Sequence, residues 1–261
     1  MLQPVRHPSK HIILYTLPHF LSDAECDMFR KIPVKHFSRG KTVDTTSTNS
    51  QAVHLSRTST TLTLPEDKQR LFHCIVAERL PDIWKQNDHE PTQIARYTRG
   101  QHYDYHHDYF DERALQSDNA TSPQRQRTWT LLVYLDDGGP ANHGGGYPGS
   151  RRRLQSSLRT RQIGGQTRTR NRRPRRSPHY GGATHFGHPE VDYTVYPERG
   201  KAILWLNVDP CTGSPNPKTL HSGKALGAGC EKRIITQWFL EKVYDKERKK
   251  GSTNSLNDLR A

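Results

Sequence analysis

The 261-residue sequence predicts an α+β fold in which two helices back a double-sheet jelly roll. Three observations predict it. From Thr92 onward, short segments rich in β-branched and aromatic residues are bounded by Gly, Pro, Asn or Asp. Ahead of them lie two segments with helix-start signals. The longest apolar runs, such as HIILY near the start and AILWL at 202–206, have strand length and fall far short of a membrane helix. One domain over 1–245 accommodates these elements, with a helical and strand part at 1–90, a jelly-roll core at 91–245 and a flexible tail at 246–261.

The first strand is expected at 11–17. Ser22, followed three residues later by Glu25, forms a capping box, and Asp23 adds favourable charge at the same helix end. Residues 39–54 are polar and rich in Thr and Ser, which predicts a loop or lid. A second helix begins near Pro65, because Leu71, Phe72, Ile75, Val76 and Ile83 recur at helical spacing and Pro is tolerated in a first turn. Strands follow at 93–97, 103–109, 127–135, 191–196, 201–208 and 233–240. Between the third and fourth of these lies an insert, 138–180, rich in Gly, Pro, Ser and Arg with almost nothing apolar to bury, so disorder is expected there.

Charge and cysteine content narrow the function classes. The net charge of +14 invites a nucleic-acid reading, but 11 Arg and no Asp, Glu or Lys fall between 150 and 180, leaving about +3 for the rest. The basic character belongs to the insert, whose clustered Arg is suited to loose contact with a polyanion. Apolar residues make up only 31% and mean hydropathy is -0.94, so a sizeable part of the chain is exposed or unfolded. Cys26, Cys74, Cys211 and Cys230 show no Cys-x-x-Cys pair, which argues against a thiolate zinc site. Four free thiols, or a Cys211–Cys230 disulfide in an oxidising compartment, both satisfy the spacing. The N-terminal residues MLQPVRHPSK lack the apolar core of a secretory signal, and the compartment is left open.

The densest chemistry lies in RYTRGQHYDYHHDYF, 96–110, where His102, Asp104, His106, His107 and Asp108 fall within seven positions. On an extended strand His102, Asp104, His106 and Asp108 share one face and His107 points the other way. A His and a carboxylate two apart can grip one cation, and a two-histidine, one-carboxylate Fe(II) centre needs a further His from elsewhere. His221, in TLHSGKALGAGCEKRIITQWF, is the best supplier. Spacing alone does not choose between His102/Asp104 and His106/Asp108.

YTRGQHYDYHHDYF resembles the YxxGQxYxxHxDxF segment of the prolyl 4-hydroxylase family of 2-oxoglutarate and Fe(II)-dependent dioxygenases. The likeness continues in FLSDAEC at 20–26, SRTST at 56–60, TLLVYLDD at 130–137, GGATHF at 181–186 and EKRIITQWF at 231–239. The resemblance implies a double-stranded β-helix, with His106, Asp108 and His221 as the metal ligands. It also implies 2-oxoglutarate as cosubstrate, with O2 as oxidant and ascorbate as the reductant that sustains the iron. Lys232 matches the residue that pairs the distal carboxylate of 2-oxoglutarate, with Arg233 its rival on the opposite strand face. The interval from His221 to Lys232 is one residue longer than the usual family spacing, so the loop between them must bulge. Tyr134 and Thr236 are implied near the same carboxylate, Tyr97 near the iron-bound end, and Arg57 beside a peptide groove.

The expected activity is therefore hydroxylation of prolyl residues in a peptide or protein to 4-hydroxyproline, with release of succinate and CO2. Two alternatives stand beside it: the same chemistry on nucleic acid, recruited by the Arg-rich insert, and a non-enzymatic binding module on the same fold.

Overall fold

The structure is a computed structural model and describes residues 3–40, 56–111, 125–139 and 181–242. Nearly all of the 39–54 loop, the insert beyond residue 139 and the 246–261 tail lie outside the described residues. In chain order the elements begin with β1 (Val5–Arg6), β2 (Leu14–Leu17), α1 (Asp23–Arg30), β3 (Ser38–Arg39) and β4 (Thr60–Thr63). Next come α2 (Glu66–Arg79), α3 (Pro81–Gln86), β5 (Asp88–His89), β6 (Gln93–Tyr97), β7 (Tyr103–His106) and β8 (Arg125–Tyr134). The last are β9 (Thr184–Phe186), β10 (Tyr193–Val195), β11 (Ala202–Leu206), β12 (His221–Gly223) and β13 (Lys232–Lys242).

The strands form two antiparallel sheets. The larger runs β1-β2-β11-β8-β13-β6-β4-β3, with β5 also on β13, and the smaller runs β10-β9-β12-β7. Successive side chains of a strand point to opposite faces, and in the large sheet both faces are covered. Leu131 and Val133 of β8, Leu204 of β11, and Ile235 and Phe239 of β13 share one buried cluster with Cys26 and Phe29 of α1 and Phe72, Ile75 and Val76 of α2. Their alternates, Leu132 and Tyr134, Ile203 and Trp205, and Ile234, pack with Phe186 and Val195 of the small sheet in a second cluster. Burial of each large apolar side chain contributes about 1.5–3 kcal/mol, so the two clusters fix the strand register from both sides. The second cluster fills the space between the sheets.

The helices are tied down by polar contacts that their sequences announce. Ser22 caps α1, its Oγ accepting from the Glu25 N–H at 3.3 Å while the Glu25 carboxylate accepts from the Ser22 N–H at 2.7 Å. Arg79 of α2 grips that same carboxylate at 2.7 and 3.0 Å, and Arg199, before β11, donates to Asp23 and Asp27 of α1.

Several expectations change. The strand expected over 103–109 ends at His106, and residues 107–110 turn away from it. GGATHF, where no strand was expected, contains β9, and the short β12 and β4 carry no run of apolar residues that would mark them. Of the two cysteine readings left open, the structure has the free thiols: Cys211 and Cys230 are not joined by a disulfide.

A histidine outside the centre ties α2 to the sheet. The His73 Nε2 lies 3.0 Å from the Thr92 hydroxyl, which also contacts Gln237 of β13. Burial, then the charge of neighbouring His89, push His73 down from 6.5 to about 4. A histidine whose folded value lies below its unfolded one gives stability that is complete above the unfolded value and is lost as pH falls towards the folded value. Thermal melts from pH 7 to 4 should therefore show a steeper loss for the native chain than for His73→Gln, the difference reaching at most about 3 kcal/mol. Parallel pH profiles for the two proteins would contradict this assignment.

Candidate metal centre

β12 lies between β9 and β7 in the small sheet, pairing His221 with Phe186 on one side and with His106 on the other. That register puts the two imidazoles face to tilted face, ring centres 4.3 Å apart. Asp108 is two residues beyond the end of β7, and the bend at 108–109 turns its carboxylate back towards both rings. Asp108 Oδ1 is 3.7 Å from His106 Nε2, and Oδ2 is 3.7 Å from His221 Nε2. All three ligand atoms lie within 4.8 Å of one another, and they form the one group of this kind among the described residues. The rival pair, His102 and Asp104, sits in the open at the surface, and His107 swings away to the carbonyl of Pro217 at 3.0 Å.

The ring nitrogens are assigned by their outer partners. His106 Nδ1 lies 2.7 Å from the Asp104 carbonyl and His221 Nδ1 lies 2.9 Å from the Thr219 carbonyl. A carbonyl only accepts, so both Nδ1 atoms carry the proton and both Nε2 lone pairs face inward. Burial, then the charge of His221, bring His106 down to about 3. Burial pushes Asp108 up, but the charges of His221, His106 and Arg127 outweigh it and hold the carboxyl below its usual range. Neutral imidazoles and an ionised carboxylate are the forms that bind a divalent cation.

Around the triad stand residues that sequence spacing did not single out. The Tyr103 ring stacks on His106, centres 3.6 Å apart and 16° from parallel. The Arg57 guanidinium covers the Tyr103 ring at 4.9 Å while donating to Ser59 and Gln93. Arg127 is held by both oxygens of Glu90 and lies over the rings of Phe110 and Trp238. Trp205 packs edge-on to His221 at 4.9 Å, and its fully buried indole N–H has no hydrogen-bond partner among the described residues. Arg57 and Tyr103 lie in the segments that carry the family resemblance, whereas Arg127 and Trp205 showed only as large side chains in strands.

Lys232 opens β13 opposite Tyr97 of β6. It is 1% exposed, yet its ammonium meets no carboxylate within ion-pair distance among the described residues. Nζ donates to the Gly182 carbonyl at 2.5 Å and lies 4.5 Å above the Tyr97 ring and 5.9 Å from that of Tyr134. Burial pushes this lysine down to about 8, with Asp136 opposing the loss of its proton. Gly182, at a φ of +70°, is demanded by this packing: a Cβ there would come 2.8 Å from Leu226 and 3.3 Å from the Lys232 stem. The Tyr134 hydroxyl bonds across to Thr184 at 2.7 Å and lies near the Val195 carbonyl at 3.2 Å, so it is engaged with the small sheet. Thr236 is buried on the Lys232 face of β13. Arg233 faces the other way, donating to Glu231 and to the carbonyls of Arg30 and Ile32. The residues between β12 and β13 take up the extra length by bridging Leu226 to Arg99 and Gly181.

This donor set fits a two-histidine, one-carboxylate Fe(II) centre. Comparison with known proteins agrees. Residues 92–240 match the family model of the 2OG-Fe(II) oxygenase superfamily. Prolyl 4-hydroxylase 2 of Arabidopsis thaliana is 26% identical over 87% of this chain and 67% of its own length. A second Arabidopsis thaliana protein, probable prolyl 4-hydroxylase 6, is 24% identical over 88% of this chain and 69% of its own. In fold the chain is similar to the viral collagen prolyl hydroxylase of Paramecium Bursaria Chlorella virus-1, with a TM-score of 0.55, 23% identity, and 87% of this chain and 95% of that one covered. The family match extends over more than half of the sequence and encloses the triad and Lys232, so the chain belongs to the 2OG-Fe(II) oxygenase superfamily, with Fe(II) as its metal and 2-oxoglutarate as its cosubstrate.

Proposed function

We propose that this protein hydroxylates prolyl residues of a peptide or protein to 4-hydroxyproline on a double-stranded β-helix scaffold. The observation that carries the reading is the convergence of His106, Asp108 and His221, together with a buried Lys232 that meets no carboxylate within ion-pair distance among the described residues. The choice of a prolyl substrate is supported by the curated relatives, both of which carry prolyl 4-hydroxylase names. When bound, Fe(II) supplies the coupled oxidation in which 2-oxoglutarate and O2 become succinate and CO2 and one oxygen atom enters a C–H bond of the substrate.

The protein's own part is to hold, orient and exclude water. His106 and His221 present Nε2 because their Nδ1 protons are committed to carbonyls, and Asp108 supplies the single negative ligand. Together they would hold the metal from one side and leave its other side open to the cosubstrate. Lys232 neutralises the distal carboxylate, with Tyr97, Tyr134 and Thr236 as the surrounding walls. The low dielectric between the sheets strengthens that pairing and keeps water from the reacting centre. Arg57 and Tyr103 mark the side from which a peptide reaches His106.

Turnover is measured as iron-dependent succinate release coupled to the gain of one oxygen atom on a Pro-rich peptide, with ascorbate present. His106→Ala and Asp108→Ala should each abolish it; coupled turnover surviving either change would end the proposal.

Lys232 and Arg233 give a second test. Removing one member of a buried charge pair costs about 3–5 kcal/mol, so Lys232→Ala should raise the KM for 2-oxoglutarate roughly a hundredfold or more. Arg233→Ala should leave that KM near native and lower thermal stability instead. Only the protonated lysine pairs a carboxylate, so cosubstrate binding should weaken as pH rises above about 8. A KM indifferent to Lys232→Ala and to alkaline pH would place the carboxylate elsewhere.

A further inference from the structure

Asp108 is the one member of the triad whose backbone has left its strand, and a carboxylate on a bend is free to rotate about its last bond unless something holds it. Oδ2 accepts a hydrogen bond from the Thr130 hydroxyl at 2.9 Å, and the Asn207 side-chain amide lies 2.9 Å from that same hydroxyl. Both residues are completely buried. An ionised carboxylate has no proton to give, so the Thr130 hydroxyl donates to Asp108, and its lone pair then accepts from Asn207 Nδ2. The order of the chain is thereby set: Asn207 amide to Thr130 hydroxyl to Asp108 carboxylate.

The base of this chain is rigid. Thr130 sits in the middle of β8, paired with Trp205 of β11 and with Trp238 of β13. Asn207 follows β11 directly; its N–H donates to the Thr128 carbonyl at 2.7 Å and its carbonyl accepts from the Asn216 N–H at 2.9 Å. Burying a hydroxyl and an amide completely is costly, and the Asn207 side-chain carbonyl has no partner among the described residues. Apolar residues of the same shape would pack this position with nothing orphaned. The network is therefore unexplained by packing.

We infer that Thr130, oriented by Asn207, is a positioning residue for the metal ligand. It fixes the rotation of the Asp108 carboxylate, which decides how its oxygens face the gap between His106 and His221. Without the hydroxyl, both oxygens compete for the cation, and Oδ2 loses its donor in a dry site. This inference rests on the reading of the triad as the metal centre and extends it to residues that touch neither the cation nor the substrate.

The test is titration of the metal-free full chain with Co(II), which reports affinity and, through its visible absorption, the ligand field. Thr130→Val should weaken binding by about 10- to 100-fold and alter the absorption bands. Thr130→Ser, which keeps the hydroxyl, should restore both. Thr128→Val removes a buried hydroxyl two residues away that bonds Asn87 and the Phe239 carbonyl, and should change neither. Should Thr130→Val fail to fold, Asn207→Leu removes the orienting donor instead and should weaken Co(II) binding severalfold. Binding within about twofold of native with an unchanged spectrum, in whichever of these two variants folds, overturns the inference and leaves the metal centre standing. A native chain that binds no Co(II) overturns the metal centre and this inference with it.

Discussion

The centre depends on one pairing: His221 of β12 directly opposite His106 of β7. Side chains on a strand alternate, so a slip of one residue would turn His221 to the outer face, with Ser222 taking its place. Nothing in the composition of β7 or β12 secures that register, since neither has a run of apolar residues. It is secured at a distance. β12 is held on its other edge by β9, whose Phe186 is fully buried against Trp205 of the large sheet, 5.4 Å between ring centres. The apolar contact between the two sheets thus sets β9, β9 sets β12, and β12 sets the distance between the imidazoles. The free energy that assembles the centre comes from hydrophobic burial outside it.

The second constraint is electrostatic. A lone ammonium between two sheets is expensive, and Lys232 relieves the cost only partly through the Gly182 carbonyl and the face of Tyr97. Asp136 contributes from further away. Burial pushes its carboxyl up to about 6, against the pull of Arg30 and the backbone N–H groups of Arg233 and Gly138, so it is charged at neutral pH and favours the charged form of Lys232. An acid raised in this way destabilises the fold as pH rises through its window. The folded chain tolerates two desolvated charges of opposite sign.

How much of this could be read from the sequence depended on how each residue is held in place. The large strands were legible because β8, β11 and β13 are apolar or β-branched on both faces, and α1 because Ser22 and Glu25 form a capping box on their own. β9 and β12 were not, because they are stabilised by neighbours far along the chain and contain Gly, Ser, Thr and His. The His106 and Asp108 pair was visible through its motif, but extended-strand alternation placed Asp108 wrongly: the chain bends after His106, and the carboxylate reaches the centre from that bend. Thr130 and Asn207 were out of reach for a further reason. A polar residue in a buried strand shows only that it must have a partner, and the partner is 22 residues away for one and 77 for the other.

Lys232 and Arg233 show how finely a strand can separate two uses of positive charge. They are adjacent, both buried, and differ in which side of β13 they face. On the helix side the acceptors are two carbonyls at the end of α1 and the Glu231 carboxylate, spread across directions that a planar, many-donor guanidinium can satisfy together. On the other side Gly182 and Leu226 leave room for a thin methylene stem, and the head meets one carbonyl and an aromatic face. A guanidinium there would bury several donors with too few acceptors, whereas an ammonium can keep one bond to the protein and turn its remaining hydrogens towards a carboxylate. Exchanging the two residues would keep the net charge and lose both functions: the helix would lose its tether, and the pocket its fit to an anion.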